Sequence, residues 1–225
     1  MKKKYLKTIS LFILLCVVFV FEYKNNMKRY EYVDLGLSVK WATCNIGAEK
    51  ETDYGSFYAW GELVPKQNYD LKHYRFWHGS DSIGAFTKYR QDSITGEYDK
   101  YVLDSCDDIA RIRLGKDWRM PTPDEYRELI NNCQWVWTKI DDIQGWMITS
   151  KVEGYQDNSI FLPAGGFISG SYRMESTSIY WSNNVLDGND NGAFSLDFDS
   201  TDYNCPYYSG NTRFVGAMIR PVYIK

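Results

Sequence analysis

Between Thr177 and Thr212 the chain contains no lysine, arginine or glutamate, although charged residues make up 24% of the whole sequence. Ordinary solvated surfaces are built from long charged side chains, so this segment is no ordinary surface. Histidine is nearly absent too. His73 and His78 lie five apart in an aromatic stretch and fit neither an HExxH helix nor a zinc-finger spacing. No two cysteines stand in CxxC spacing, which disfavours a thiol metal or redox motif, and there is no G-x-S-x-G elbow. Basic charge is short as well. With residues 1–25 set aside, 21 basic side chains face 28 acidic ones, a formal charge of −7. That balance argues against nucleic acid, whose phosphates want a basic face.

What fills the uncharged segment is Ser, Asn, Asp, Gly and Tyr. The same chemistry serves antibody loops, where tyrosine gives contact area at low entropy cost and short polar groups adapt their hydrogen bonds. The segment therefore reads as a recognition surface; the plainer alternative is a long polar loop region of a β-rich protein.

The N-terminus carries Lys2, Lys3 and Lys4 ahead of an apolar run from Ile9 to Phe21. This is the pattern of an export signal. No small-residue cleavage site follows, and Cys16 lies inside the run behind Leu15, a poor lipobox. A spanning helix needs about 20 apolar residues, so residues 1–25 are expected to be a signal peptide or an N-terminal membrane anchor. Membrane contact is then confined to residues 5–21, and the rest is exported to the cell envelope, surface-anchored or secreted. Residues 30–225 are expected to form one domain, since no repeat or linker divides them. An exported chain with Cys44, Cys106, Cys133 and Cys205 invites disulfides. Cys44–Cys133 is the preferred pair, with Cys106–Cys205 second.

Tyr32–Ala42 alternates apolar and polar residues, as a half-buried strand does, with Gly36 marking a bend. Gly55–Gly61 reads as a further strand, and Pro65–Gly96 as a long aromatic excursion with short elements. Ser105 and Asp108 suggest a capping box for a short helix closed by Gly115. The clearest helix starts at Thr122-Pro123-Asp124-Glu125, shows Tyr126, Leu129 and Ile130 on one face, and stops at Asn131-Asn132. Strands are expected at Trp135–Lys139, Gly145–Ser150, Ser159–Leu162, Ile179–Ser182, Ala193–Asp199 and Ala217–Tyr223. Phe194, Leu196 and Phe198 would face inward and Asp197 and Asp199 the opposite way. The order implies an α+β fold.

VDLGLSVKWATCNIG, YAWGE, WRMPTPDEYRELINNC, SIFLPAGGF, YWSN and the terminal IRPV, spread from about Val33 to Val222, closely resemble the Fibrobacter succinogenes major paralogous (FISUMP) domain family. That family is related to the formylglycine-generating-enzyme branch of the C-type-lectin-like fold. The resemblance implies twisted, mainly antiparallel sheets, two short helices and long loops. It carries fold and no chemistry. The related enzymes use a reactive cysteine pair near the C-terminus, where this chain has only Cys205. Some lectin-like proteins of the branch are diversified near the C-terminus, and the composition of residues 183–212 resembles such a region.

The expected function is non-catalytic recognition of a protein or glycan ligand at the cell surface. Tyr203, Asn204, Tyr207, Tyr208, Asn211, Asn183 and Asn184 are the ligand-binding candidates, with Tyr172 and Arg173 on a neighbouring loop. An enzyme of the formylglycine-generating type and a structural envelope component are the other classes. No cofactor is required on this reading. Calcium is the one candidate ion, because Asp187, Asn189 and Asn191 occupy the alternate positions of a calcium loop and Gly192 its turn. The twelfth position is Phe198, however, and an Asx/Gly-rich turn explains the same residues. Eight tryptophans could stack on sugars, but Trp41, Trp118 and Trp181 read as core.

Overall fold

A computed structural model describes residues 30–80, 83–92, 94–189, 191–199 and 207–224, and of Tyr208 the backbone. The N-terminal apolar run lies outside the described residues, as do Tyr203, Asn204 and Cys205; no described helix is long and apolar enough to cross a membrane. Contacts gather Glu31–Lys225 into one unit.

Strands β1 (Tyr32–Val33) and β2 (Lys40–Ala42) flank a bend where a continuous strand was expected. Gly36 bends the chain there, at φ +73°, and its amide donates to Asp34 Oδ1. A Cβ at Gly36 would meet the Tyr155 ring at 2.6 Å, so glycine is required twice over. The alternation was still informative: Leu35, Leu37, Val39 and Trp41 are all buried. No strand forms at Gly55–Gly61, which contributes only a bridge from Tyr58 to Ala217.

The aromatic excursion holds a one-turn 3-10 helix at Leu71–His73 and a hairpin of β3 (Trp77–Gly79) and β4 (Gly84–Phe86). Helix α1 (Ile109–Leu114) is capped by Asp108 and not by the expected Ser105 box. The reason is coverage: one Asp108 oxygen accepts the Ala110 and Arg111 amides and the other the Met120 amide, which an exposed serine hydroxyl cannot do. After β5 (Trp118–Arg119), helix α2 (Pro123–Asn132) begins with the anticipated capping box. Thr122 Oγ1 accepts the Glu125 amide at 3.2 Å, and Glu125 Oε2 accepts the Thr122 amide at 2.8 Å. Removing the hydroxyl in Thr122→Ala is expected to cost about 1 kcal/mol, read as a lower urea midpoint with an unchanged slope. A neutral result would mean that packing of Tyr126 and Leu129 alone holds the helix.

Strands β6 (Cys133–Ile140), β7 (Ile143–Ser150) and β8 (Ser159–Pro163) form an antiparallel sheet. A hairpin of β9 (Phe167–Ser169) and β10 (Tyr172–Met174) follows, and then the sheet β11 (Thr177–Val185), β12 (Gly192–Asp199) and β13 (Tyr207–Thr212), with β12 central. The last strand, β14 (Val222–Tyr223), lies between β2 and β5. It is shorter than expected; Pro221 precedes it, and Ala217 and Met218 make single bridges only. The described chain is thus a mainly antiparallel α+β fold with two α-helices.

Two apolar clusters fill it. One gathers Trp41, Tyr126, Leu129, Trp146, Tyr180, Leu196 and Phe198. The other gathers Trp60, Trp181 and the aromatics of the excursion, Tyr69, Tyr74, Phe76, Phe86 and Tyr89. The excursion therefore supplies the aromatics of a second core. Trp41, Trp118 and Trp181 are buried, as expected.

The preferred Cys44–Cys133 bridge is not formed; both are free, buried thiols. Cys44 Sγ lies 3.8 Å from the Ala48 carbonyl in its own loop, while Cys133 packs in the cluster of Tyr126 and Leu129. Each fills space as a small apolar group, and burial pushes the Cys133 thiol up to about 11.

Candidate functional site

Strand β12 decides the character of the C-terminal segment. Its register sets Phe198 opposite Ser178 and Leu196 opposite Tyr180 on one face, with Asp197 opposite Ile179 and Ser195 opposite Trp181 on the other. Tyr180, Leu196 and Phe198 join the first cluster, while Ile179, Trp181, Val185 and Ala193 join the second. The sheet is a wall between two cores. Asp197, expected to face away from the core, is consequently only 4% exposed.

A burial this deep demands partners, and β13 supplies them. Asp197 Oδ2 accepts Ser209 Oγ at 2.6 Å and Asn211 Nδ2 at 2.7 Å; Asn211 also reaches Ser195 Oγ at 2.9 Å. The other oxygen, Oδ1, is buried and has no hydrogen-bond partner. Burial raises the Asp197 pKa above the usual carboxylate value, opposed by the hydrogen bonds from Ser209, Ser195 and Asn211. Sequence reasoning missed this group. Its one signal was Ser195 and Asp197 at spacing two, matched by Ser209 and Asn211 on the next strand.

The ligand-binding candidates divide. Tyr207 is 43% exposed on β13, the edge of its sheet. Asn211 is half-buried and turned inward onto Ser195 and Asp197. Asn183 is 5% exposed, where a surface contact was expected, because the irregularity in β11 between Trp181 and Val185 is stitched to neighbouring loops. Its amide donates to Pro121 and its carbonyl accepts from Leu103. Asn184 is half-buried, and the side-chain oxygens of both asparagines lack hydrogen-bond partners. On the β9–β10 hairpin, Tyr172 is well exposed, while Arg173 stacks 4.3 Å over Tyr54 and donates to the Gly165 carbonyl.

The turn from β11 to β12 exposes Asp187, Gly188, Asn189 and Asn191. Gly188 sits at φ +72°, and Asn189 Oδ1 accepts the Asn191 amide at 3.0 Å. That bond is an Asx turn, which needs no ion. Phe198, in the place of the bidentate carboxylate, is fully buried, and Asp197 beside it is committed to β13. Asp187, Asn189 and Asn191 would be the loop's own donors to calcium, with Asn189 already engaged.

A cleft of roughly 390 Å³ adjoins this region, lined by Arg90, Asp92, Glu97, Tyr98 and Asp99 among others. Tyr98 donates to the Leu186 carbonyl at 3.1 Å. Two of the cleft's carboxylates serve their own turn, Asp92 accepting the Ile94 and Thr95 amides and Asp99 the Arg90 amide. Tyr98, 7% exposed, offers a ligand almost no ring face.

The second polar cluster is Asp104, Cys106 and Asp107, whose ligand-type atoms lie within 4.8 Å of one another. Cations of the protein already fill it. Lys88 bridges Asp107 and Asp104 (2.6 Å to the latter), and the Arg75 guanidinium lies 3.0 Å from Asp107 Oδ1. Tyr89 donates its hydroxyl to Asp107 at 2.7 Å. Burial works against the Lys88 charge, but the hydrogen bonds to Asp104 and Asp107 outweigh it and hold its pKa above the ordinary lysine value. Such neutralisation makes the cluster a structural network; a metal would have to displace Lys88.

No family model, curated protein or solved structure matches this chain.

Proposed function

We propose that the chain is an exported, non-catalytic recognition domain of the lectin-like type its motifs resemble, binding a protein or glycan at the cell surface through its C-terminal segment. The observation that carries this reading is β13. An edge strand free of charged residues presents Tyr207 to solvent, while Ser209 and Asn211 anchor it to a buried carboxylate. Edge strands that must stay single usually carry lysine, proline or inward charges; an aromatic, uncharged edge on a rigid wall suits a partner.

The test is a combined glycan and surface-protein array, run with calcium and with chelator. Replacing Tyr203, Tyr207 and Tyr208 together by serine is expected to abolish any specific signal. Stability is expected to change by only about 0.5 kcal/mol per substitution. A large fall in melting temperature would show that these tyrosines are core, and the reading would fail. Chelator sensitivity would bring the Asp187–Asn191 turn into the site.

A further inference from the structure

We propose that Asp197 is a proton-operated latch on β13, holding the edge strand tightly when its carboxyl is neutral and loosening it when the carboxyl ionises. The functional consequence rests on reading β13 as the ligand-contact strand. The latch itself follows from three geometric facts. Asp197 is almost fully buried, and one of its oxygens has no partner. Of the donors that act on Asp197, Ser209 and Asn211 reach its other oxygen from β13 and Ser195 stands on its own strand, and all three are neutral. And among the described strands β13 pairs with β12 alone, through six residues, and beyond that ladder it meets α2, so its detachment disrupts one ladder and one helix contact and not the whole fold.

The groups facing Asp197 can be named element by element. Tyr207, Ser209 and Asn211 come from β13, Ile179 and Trp181 from β11, and Ser195 from its own strand. From α2, Tyr126 is within electrostatic reach: burial chiefly raises its phenol, and the Asp197 charge adds to this. Glu125 and Arg220 act on Tyr126 as well. Among the described residues, no ion pair includes Asp197. An ionised Asp197 is thus held by neutral dipoles only, and opening β13 gives its charge back to water.

The sign follows from linkage. Burial raises the folded pKa of Asp197 above its unfolded value of about 3.9. Between those two values the folded state binds more protons than the unfolded one. The contribution is fully present below the unfolded pKa and is lost as pH rises through the folded one. Acid tightens β13; neutral pH loosens it.

Hydrogen exchange on the full chain between about pH 4 and pH 8 tests this, with β13 protection factors referred to those of β7. Wild-type β13 is expected to lose protection on raising the pH, about tenfold for each unit by which burial elevates the carboxyl. Asp197→Asn, which keeps the shape and can turn its one oxygen to the Ser209 and Asn211 donors, should give a flat profile. Ser209→Ala removes a donor that favours the charge, so the loss should move to higher pH. An Asp197→Asn profile superimposed on wild type, or a Ser209→Ala profile without the shift, overturns the latch. Both readouts are taken without ligand, so a failed array leaves the latch standing and a flat wild-type profile leaves the recognition reading standing.

Discussion

Arg220→Met is expected to destabilise the domain by about 4 kcal/mol, a large share of the 5–15 kcal/mol that holds a typical domain together. The Arg220 guanidinium is fully buried. Its Nε donates to Asn45 Oδ1 at 2.8 Å, Nη1 to the Ala42 and Thr43 carbonyls at 2.9 and 3.0 Å, and Nη2 to the Phe161 carbonyl at 2.8 Å. One side chain thereby ties the end of β2 and the residues after it, the middle of β8 and the approach to β14. Methionine fills much of the volume but orphans four acceptors, each costing about 1–3 kcal/mol if left dry; the returned desolvation energy of the charge offsets part of this. Arg220→Lys separates charge from geometry, because an ammonium has three donors and no planar fork. Urea denaturation should show both variants well below wild type. A lysine variant with wild-type stability would mean that the charge alone matters, and a methionine variant within 1 kcal/mol of wild type would sink the clamp.

Asp107→Ala should cost about 3 kcal/mol. The Asp107 carboxylate is buried and answers Lys88, Arg75 and the Tyr89 hydroxyl. Deleting it leaves Lys88 to Asp104 alone, removes the acceptor of the Tyr89 hydroxyl, and frees the excursion around Tyr89 from the loop before α1. Tyr89 also accepts two hydrogen bonds: its hydroxyl takes the Asp104 amide at 2.8 Å and its carbonyl takes Arg213 Nη1 at 2.8 Å. The damage should therefore spread through the second core. Near-ultraviolet circular dichroism, which reports the packing of Trp60 and Tyr89, should fall along with the denaturation midpoint. The Asp107–Lys88 coupling is measured by a double-mutant cycle with Asp107→Ala and Lys88→Met. A coupling near zero would show that Lys88 is a surface cation with no part in holding the excursion.

Much of the fold was legible because its causes are local. The Thr122–Glu125 box needs only residues three apart, and the helix it starts ends at Asn132 as expected. The alternation from Leu35 to Trp41 marked a buried row even though Gly36 bends it out of strand geometry. The Asx/Gly signal at Asp187–Asn191 marked a turn, and the turn is there. The site was less legible. Tyr207 reads correctly as exposed, but Asn183 belongs to an irregular stretch of β11 that other loops cover, and nothing in its own neighbourhood announces that.

The sequence by itself determined the Thr122 cap and its helix, the Asp187–Asn191 turn and which residues of a strand share a face, because hydrogen bonds and side-chain periodicity act over a few residues. Only the tertiary structure decided which faces are covered. Period two put Asp197 opposite Phe198, and burial of both required two cores, one of them built from aromatics of residues 69–89. Arg220 likewise finds its partners at Ala42, Thr43, Asn45 and Phe161, far away in sequence. Desolvation depends on every segment that packs around a group, and so the buried carboxylate at the candidate site appears only once the chain has closed on itself.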